Sequence, residues 1–204
     1  MAYNEINKRE RRVKMIKVYV AKIENISKED ENNIIASLSD SARARLGKKR
    51  NEELHLASLC ALSLVPAEMR CDLDYTEGGR PFFKTLDADI SISHSKLFSA
   101  VAISDSKREL VGIDVEDFNE SRNSYARFFT QNEKNVLESG THELAIWTKK
   151  EALFKHLKND DINFIALDTT KANTHFITLH LDGAIFTVCT KKKEEITVIN
   201  NCKF

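Results

Sequence analysis

The segment Gly112-Ile113-Asp114-Val115-Glu116 alternates apolar and acidic side chains, and this alternation constrains the fold more than any other feature of the chain. Alternate residues of a strand lie on opposite faces, so the pattern predicts a strand with one apolar face and one acidic face. The Cα atoms of Asp114 and Glu116 would be roughly 6.6 Å apart, so that both carboxylates could approach one hard cation. Mg²⁺ is typically held by one or two carboxylates, with water and phosphate oxygens completing its shell. The segment therefore suggests a phosphate-handling enzyme, although acids on alternate strand positions are often only a solvated face.

A second charged group lies in the helix predicted over residues 142–157. Glu151 and Lys155 are four residues apart, so a helix places them on one face. An exposed ion pair with this spacing contributes only a few tenths of a kcal/mol and is common on ordinary helices. Trp147, the only tryptophan of the chain, lies one turn earlier on much the same face. Because a lone tryptophan is an unusual neighbour for a fully solvated ion pair, we interpret this face as part of a site.

Two further segments carry side chains that suit a phosphate or a ribose. The paired glycines and proline of residues 77–81 predict a turn, in which Arg80 either lies in solvent or presents its planar guanidinium to a phosphate. The strand predicted over residues 89–93 ends in Ser93 and His94, which could contact a phosphate or ribose together with backbone N–H groups. A single histidine is more often a structural hydrogen-bonding group, so both roles stay open for His94.

The segment Thr130-Gln131-Asn132-Glu133 opens a predicted helix and fits a capping box. In that motif the Thr130 side chain accepts from the backbone N–H of Glu133, and the Glu133 side chain returns a bond to the backbone of Thr130. Capping alone accounts for a glutamate at this position, but it does not exclude a catalytic role for Glu133.

Composition argues against several classes of protein. Lys plus Arg and Asp plus Glu number 31 each, and this balance argues against a protein that coats nucleic acid. The cysteines (Cys60, Cys71, Cys189 and Cys202) lie far apart, which predicts reduced thiols rather than a zinc site or a disulfide framework. No apolar run approaches the roughly 18 residues of a membrane span, and the basic N-terminus lacks the apolar stretch of a secretory signal. We therefore expect a cytoplasmic monomer that binds neither nucleic acid nor membrane.

Patterning along the chain predicts an α+β fold. We expect a flexible tail over residues 1–15, an N-terminal half over 16–108 and a C-terminal half over 109–204 that carries the candidate metal acids. The predicted strands are 16–23, 89–93, 97–103, 110–116, 161–167, 175–181, 184–190 and 196–200, with Asp182-Gly183 as a hairpin turn. The predicted helices are 28–38, 50–64, 122–129, one opening at Thr130, and 142–157.

Taken in order, these motifs resemble the 4'-phosphopantetheinyl transferase superfamily, in particular its larger, Sfp-type members. The similarity covers roughly residues 78–157. The matching segments are Gly79-Arg80-Pro81, Ile92-Ser93-His94-Ser95, Gly112 to Glu116, Ala126-Arg127-Phe128-Phe129 with Glu133, and Trp147 to Lys155.

The resemblance implies two similar α+β halves related by a pseudo-twofold axis, with coenzyme A bound in the cleft between them. It implies that three carboxylates hold Mg²⁺ against the pyrophosphate of coenzyme A and that Lys155 contacts the phosphates. The three implied metal ligands are Asp114, Glu116 and Glu151. The residues implied to hold the nucleotide end are Arg80, Ser93 and His94.

The implied reaction moves the phosphopantetheine arm of coenzyme A onto a serine of an apo acyl or peptidyl carrier protein and releases adenosine 3',5'-bisphosphate. Such an enzyme would serve fatty acid or secondary metabolite synthesis. Because the nucleophile belongs to the carrier, the chain needs no catalytic serine of its own. The resemblance implies that Glu133, or a water held by the metal, takes the serine proton as general base.

The chain departs from the family pattern at three places. Arg80 stands where lysine is common. His55 stands about where the family often has a basic phosphate contact, a role that the basic residues just before it would share, namely Arg45, Lys48, Lys49 and Arg50. After Lys155, residues 156–161 replace the glycine-containing turn that relatives often have. Two alternatives stay open. The altered N-terminal half would suit a non-catalytic homologue that binds coenzyme A, and the same acids would suit a metal-dependent phosphohydrolase that acts on a small phosphate ester.

Overall fold

The structure is a computed structural model that describes residues 15–24, 26–49, 51–118, 124–159, 161–181 and 183–200. These residues form a mixed α+β fold, as the sequence predicts. The strands are β1 (Met15–Lys22), β2 (Leu73–Tyr75), β3 (Pro81–Phe83), β4 (Asp89–His94), β5 (Phe98–Ser104), β6 (Val111–Asp117), β7 (His175–Leu181), β8 (Ala184–Thr190) and β9 (Glu195–Asn200). The helices are α1 (Lys28–Ser37), α2 (Asp40–Gly47), α3 (Glu52–Ser63), α4 (Ala67–Arg70), α5 (Gln131–Glu138) and α6 (Glu143–Leu157). Tyr125–Phe128 and Phe164–Ala166 are short 3-10 helices.

Two main sheets organise the fold. The first has the order β4-β5-β1-β9, in which β9 runs parallel to β1 and the other neighbours are antiparallel. The second is antiparallel, with the order β6-β8-β7, and β2 pairs with β3 beside them. The first sheet therefore takes an edge strand from residues 195–200, near the end of the chain.

Strands β4 and β6 lie side by side at the junction of the two sheets. The backbone N–H of Val111 donates to Asp89, and the backbone N–H of Ile113 donates to the hydroxyl of Ser91. Both bonds advance by two residues along each strand, so the two strands run in the same direction. This junction brings the end of β4 beside the acids of β6.

One apolar core joins the two sheets. It contains Ile113 and Val115 of β6, which are 0% and 1% exposed, so the predicted apolar face of this strand is confirmed. Other members come from both sheets: Ile16, Val18, Val20, Phe98, Ala100, Ala102, Val111, Ala184, Phe186 and Val188. Burial of these side chains fixes β6, and the opposite face of β6 is thereby turned towards α6.

Helix α6 lies unusually close to β6. A Cβ atom on Gly112 would stand 1.9 Å from the backbone oxygen of Ala152 in α6, which is far inside van der Waals contact. Only glycine permits this approach, and the acids on the same strand consequently lie within reach of side chains from the helix.

Some predicted elements differ from the structure. The strand predicted over 161–167 is wrong: it contains a 3-10 helix at Phe164–Ala166, because the Asn163 side chain accepts from the backbone N–H of Ile165 and offers the chain a local turn. The structure adds α2, α4, β2 and β3, which the pattern did not predict. Of the predicted tail, residues 1–14 lie outside the described residues, and Met15 begins β1.

Three smaller expectations can be compared with the structure. Leu181 pairs with Ala184 as a β7–β8 hairpin requires, whereas Asp182 of the predicted turn lies outside the described residues. Cys60, Cys71 and Cys189 are free thiols, and Cys202 is not among the described residues. No helix in the described part of the chain is both long enough and apolar enough to cross a membrane.

Candidate functional site

The acids of β6 are buried beneath α6 rather than solvated. Asp114 is 4% exposed and Glu116 is 7% exposed, although both side chains point away from the apolar core of the sheets. A buried carboxylate is strongly destabilising unless hydrogen bonds or opposite charges compensate for its lost hydration. The partners of these two carboxylates therefore define the site.

Asp114 is held by a serine from β4 and a lysine from α6. Ser93 Oγ donates to Asp114 Oδ1 at 2.8 Å, and Lys155 Nζ donates to the same oxygen at 2.7 Å. Lys155 Nζ also donates to Ser93 Oγ at 2.9 Å, which closes a three-membered network. The structure thus brings together three residues that the sequence predicted from three separate motifs.

Glu116 is held by the tryptophan of α6. Trp147 Nε1 donates to Glu116 Oε1 at 2.9 Å. Trp147, Glu151 and Lys155 follow one another at intervals of four residues, so they occupy one face of α6. Two of these side chains bond the β6 acids directly, which shows that this helix face meets the acidic face of the strand.

Glu151 lies between these two contacts along α6. Burial, and to a smaller extent the negative charge of Asp114, raise the pKa of Glu151 against the opposing positive charge of Lys155, and the net result is a pKa of about 7. The third predicted acid therefore feels the charge of the first. A positive charge added between them would relieve this repulsion and favour the ionised form of Glu151.

The donor chemistry of these acids fits a hard divalent cation. Asp114 Oδ2 is buried and makes no hydrogen bond to any described residue, so a strong acceptor is left for another partner. Within the described ranges, no three His, Cys, Asp or Glu side chains already stand as a ready-made metal-binding group. Mg²⁺ does not require one, since it keeps several waters and is commonly completed by substrate phosphates.

Two neighbouring cavities lie near the site, and the second of them includes Lys155. The first, of about 170 Å³, has the cations Arg45 and Lys49 on its wall together with His94. The second, also of about 170 Å³, includes Lys155 and shares Gly79, Pro81 and Ile92 with the first. The two cavities are therefore neighbours, and the second lies beside the lysine of the Asp114 network.

The residues predicted to hold the nucleotide end of coenzyme A do not all line the first cavity. The Arg45 guanidinium lies 4.8 Å from the centre of the Tyr75 ring, at the cavity wall. Lys48 is exposed at the end of α2, and its neighbour Lys49 lines the cavity instead. Burial lowers the pKa of His94, and the charges of Lys49 and Lys155 lower it further, against the opposing charge of Asp114.

Arg80 binds the end of α6. Its guanidinium donates to the backbone oxygens of Phe154 and Lys155, and it lies 5.9 Å from the centre of the Phe154 ring. These carbonyls belong to the last turn of the helix, where a cation also interacts favourably with the helix dipole. Arg80 thus stabilises the turn that carries Lys155, and it lines the second cavity as well.

The Glu133 carboxylate is buried and lies in a network of hydrogen bonds with side chains and backbone around it. The predicted capping box with Thr130 is formed. Glu133 is 0% exposed and also accepts from Lys150 Nζ at 2.8 Å and from the backbone and hydroxyl of Thr169. Proton transfer at this carboxylate would disturb all of these bonds, so the geometry favours the structural role of the two that the sequence left open.

The sequence did not reveal several buried charges near the site. Lys150 is 0% exposed and donates to Glu133 and to the backbone oxygen of Leu167. Lys158 bonds the buried Asp89 at the start of β4, and so ties the end of α6 to that strand. Lysine is among the residues least often buried, so no pattern signal distinguished these two from surface lysines.

Comparison with known families supports the interpretation of this site. Residues 110–199 match the model of the 4'-phosphopantetheinyl transferase superfamily. The match covers somewhat less than half of the chain and includes β6 and α6 with all three candidate metal acids and Lys155. No curated protein matches the chain.

Proposed function

We propose that this protein transfers the 4'-phosphopantetheine group of coenzyme A to a serine of an apo acyl or peptidyl carrier protein and releases adenosine 3',5'-bisphosphate. One observation carries the proposal: the α6 face with Trp147, Glu151 and Lys155 meets the acidic face of β6. Both elements lie inside the family match. We extend the proposal to the whole chain as a larger, Sfp-type member with two similar halves, acting in the cytoplasm as a monomer.

We assign Mg²⁺ to the carboxylates of Asp114, Glu116 and Glu151. Bound there, Mg²⁺ would neutralise charge on the pyrophosphate of coenzyme A during transfer. The buried Asp114 Oδ2 and the repulsion between Asp114 and Glu151 support this assignment. The remaining positions of an octahedral shell suit waters and phosphate oxygens.

Lys155 and Ser93 would act directly on the phosphates. The Lys155 ammonium is the described cation closest to Asp114, and it is partly exposed at the second cavity, so it can also bind a phosphate oxygen. Ser93 holds both the lysine and the carboxylate through its hydroxyl, and this fixes the distance between strand β4 and helix α6. Phosphoryl transfer depends mainly on such positioning and charge neutralisation.

The nucleotide end of coenzyme A would occupy the first cavity. Arg45, Lys49 and His94 supply cationic and polar groups there, while Leu46, Leu62 and Ile92 supply an apolar floor. Arg80 would contribute chiefly through the last turn of α6, and Lys48 would act only through its charge near the cavity mouth. The proposal gives Glu133 no role in proton transfer, because its carboxylate is already saturated with donors, and the proton of the carrier serine would pass to a water molecule at the site.

The direct test uses the purified full chain with coenzyme A, Mg²⁺ and a panel of apo-carrier proteins. We expect the intact mass of at least one carrier to increase by one phosphopantetheine group, and the same carrier with its acceptor serine changed to alanine to stay unmodified. No adduct on any carrier of the panel would contradict the proposal. Release of nucleotide from coenzyme A without a carrier would instead favour a phosphohydrolase.

A further inference from the structure

The single tryptophan of the chain bonds an acid of the proposed metal site. Trp147 Nε1 lies 2.9 Å from Glu116 Oε1, and the carboxylate is only 7% exposed. An indole N–H is a donor only, so it can hold a carboxylate but can neither accept a proton from it nor bind a cation through the nitrogen. In a site with little water, such a bond also restricts rotation of the carboxylate more than it would at the surface.

Three aromatic rings hold the indole in place. Tyr125 stacks on Trp147 with the ring centres 4.4 Å apart, while Phe128 and Phe164 contact it with centres at 5.5 Å. Tyr125 is itself 9% exposed. These contacts cover the indole from different sides, so its N–H has a fixed direction.

The segments that carry these rings are anchored in turn. Glu143 Oε1 accepts from the backbone N–H of Ala126 at 2.8 Å, which fixes the 3-10 helix that carries Tyr125 and Phe128. The segment after Phe164 is held where Lys150 donates to the Leu167 backbone and Glu133 accepts from Thr169. The buried Glu133–Lys150 pair therefore helps to hold the segment that carries Phe164 against Trp147, and it does not contact Asp114 or Glu116 through any bond described above.

We propose that Trp147 is a positioning residue, whose N–H fixes the Glu116 carboxylate in the orientation that a divalent cation requires. The inference rests on the metal assignment made under the proposed function. Groups that bond a metal ligand typically change metal affinity by about 10- to 100-fold when they are removed. Trp147 would thus act on the cation through Glu116, without touching either cation or substrate.

The test compares Mn²⁺ binding by wild-type protein, Trp147→Phe, Glu116→Gln and the double variant, using calorimetric titration with Mn²⁺ alone. Trp147→Phe keeps an aromatic ring but removes the N–H, and we expect its Mn²⁺ affinity to fall at least tenfold. If Trp147 acts through Glu116, the double variant should bind no more weakly than Glu116→Gln. If Trp147 only stabilised the fold, Trp147→Phe would lower the Mn²⁺ affinity both in the wild-type protein and in the Glu116→Gln variant.

A matched control is Phe128→Leu, which removes one of the three ring contacts to Trp147 and leaves the N–H, the closer Tyr125 stack and the Phe164 contact in place, so the indole stays held. We expect its Mn²⁺ affinity to stay within about twofold of wild type when circular dichroism shows that all variants are folded. If Trp147→Phe bound Mn²⁺ with wild-type affinity, the role of Trp147 would be excluded while the metal assignment stood. The same would hold if Phe128→Leu lost as much Mn²⁺ affinity as Trp147→Phe. A wild-type protein that binds no Mn²⁺ would overturn both the metal assignment and the inference.

Discussion

Lys155 Nζ lies 2.7 Å from Asp114 Oδ1, so a lysine of helix α6 neutralises a buried acid of strand β6. The second oxygen of the same carboxylate has no hydrogen-bond partner in the described part of the chain. Asp114 thus links β6 to α6 through one carboxylate oxygen, and its other oxygen can still bind a cation.

Replacing Lys155 with methionine should lower both turnover and stability. The change removes the ammonium and leaves Asp114 charged and buried, and because Lys155 is partly exposed we expect a loss of about 1–3 kcal/mol in the free energy of unfolding. Loss of a group that stabilises transferred phosphate should reduce kcat by about 100-fold or more. Urea unfolding and initial rates measure the two effects.

The control for this variant is Lys193→Met, which removes an exposed lysine on the segment between β8 and β9. We expect it to leave the free energy of unfolding within about 0.5 kcal/mol of wild type and the rate unchanged. A Lys155→Met protein that turned over at the wild-type rate would exclude Lys155 from the reaction.

Replacing Glu151 with glutamine should stabilise the metal-free protein at pH 8. The folded protein raises the pKa of Glu151 from 4.5 to about 7, so the folded state holds this proton more tightly than the unfolded state. Between these values stability falls as pH rises, by up to about 3 kcal/mol, since one pKa unit corresponds to about 1.4 kcal/mol. Partial exposure of Glu151 to solvent reduces the expected gain to about 1–2 kcal/mol.

The measurement is urea unfolding in a chelator at pH 8 and at pH 4.5. The advantage of Glu151→Gln over wild type should be present at pH 8 and should shrink at pH 4.5, where the wild-type carboxyl is protonated in the folded state. An advantage of equal size at both pH values would show that ionisation of the buried Glu151 carboxyl is not its origin.

Replacing Glu133 with glutamine should cost stability rather than chemistry. The variant leaves Lys150 charged and fully buried without a carboxylate partner, and breaking such a pair typically costs about 3–5 kcal/mol. A lost general base would instead reduce kcat by about 10²- to 10⁴-fold. We expect kcat per folded molecule within about threefold of wild type, measured below the unfolding transition. A loss of 100-fold in fully folded protein would restore the base role.

Replacing Gly112 with alanine should separate α6 from β6. The added Cβ would collide with the backbone oxygen of Ala152, and backbone cannot move aside as a side chain can. We expect at least about 3 kcal/mol of destabilisation, at or above the upper end of ordinary overpacking, together with weaker Mn²⁺ binding. Gly47→Ala is the control, because nothing lies within 4 Å of its Cβ position, and it should be neutral or slightly stabilising. A stable, active Gly112→Ala would contradict the close packing.

Local pattern predicted the strand and helix that carry the site. The alternation around Asp114 predicts β6, and the four-residue spacing of Glu151 and Lys155 predicts one face of α6; both elements are present. What the pattern could not predict is burial. An acid on a strand face is solvated unless another element covers it, and the element that covers Asp114 lies 41 residues away in the chain.

The same reasoning explains the residues whose surroundings differ from expectation. Arg80 and the end of α6 are 75 residues apart in the chain, so no local signal could show that this guanidinium meets helix carbonyls. Glu133 satisfies its capping pattern locally, but the pairing with Lys150 depends on tertiary packing. Lys48 and Lys49 are adjacent in sequence, so the pattern could not show which of them faces the cavity. That depends on the direction in which the chain leaves α2.

The most direct measurement of the central claim follows holo-carrier and adenosine 3',5'-bisphosphate together in one reaction, for wild type and for Asp114→Asn. We expect equal amounts of the two products from wild type, and at least a 100-fold slower rate from a folded Asp114→Asn protein. Nucleotide formed without holo-carrier, or an undiminished rate in Asp114→Asn, would contradict the proposed function.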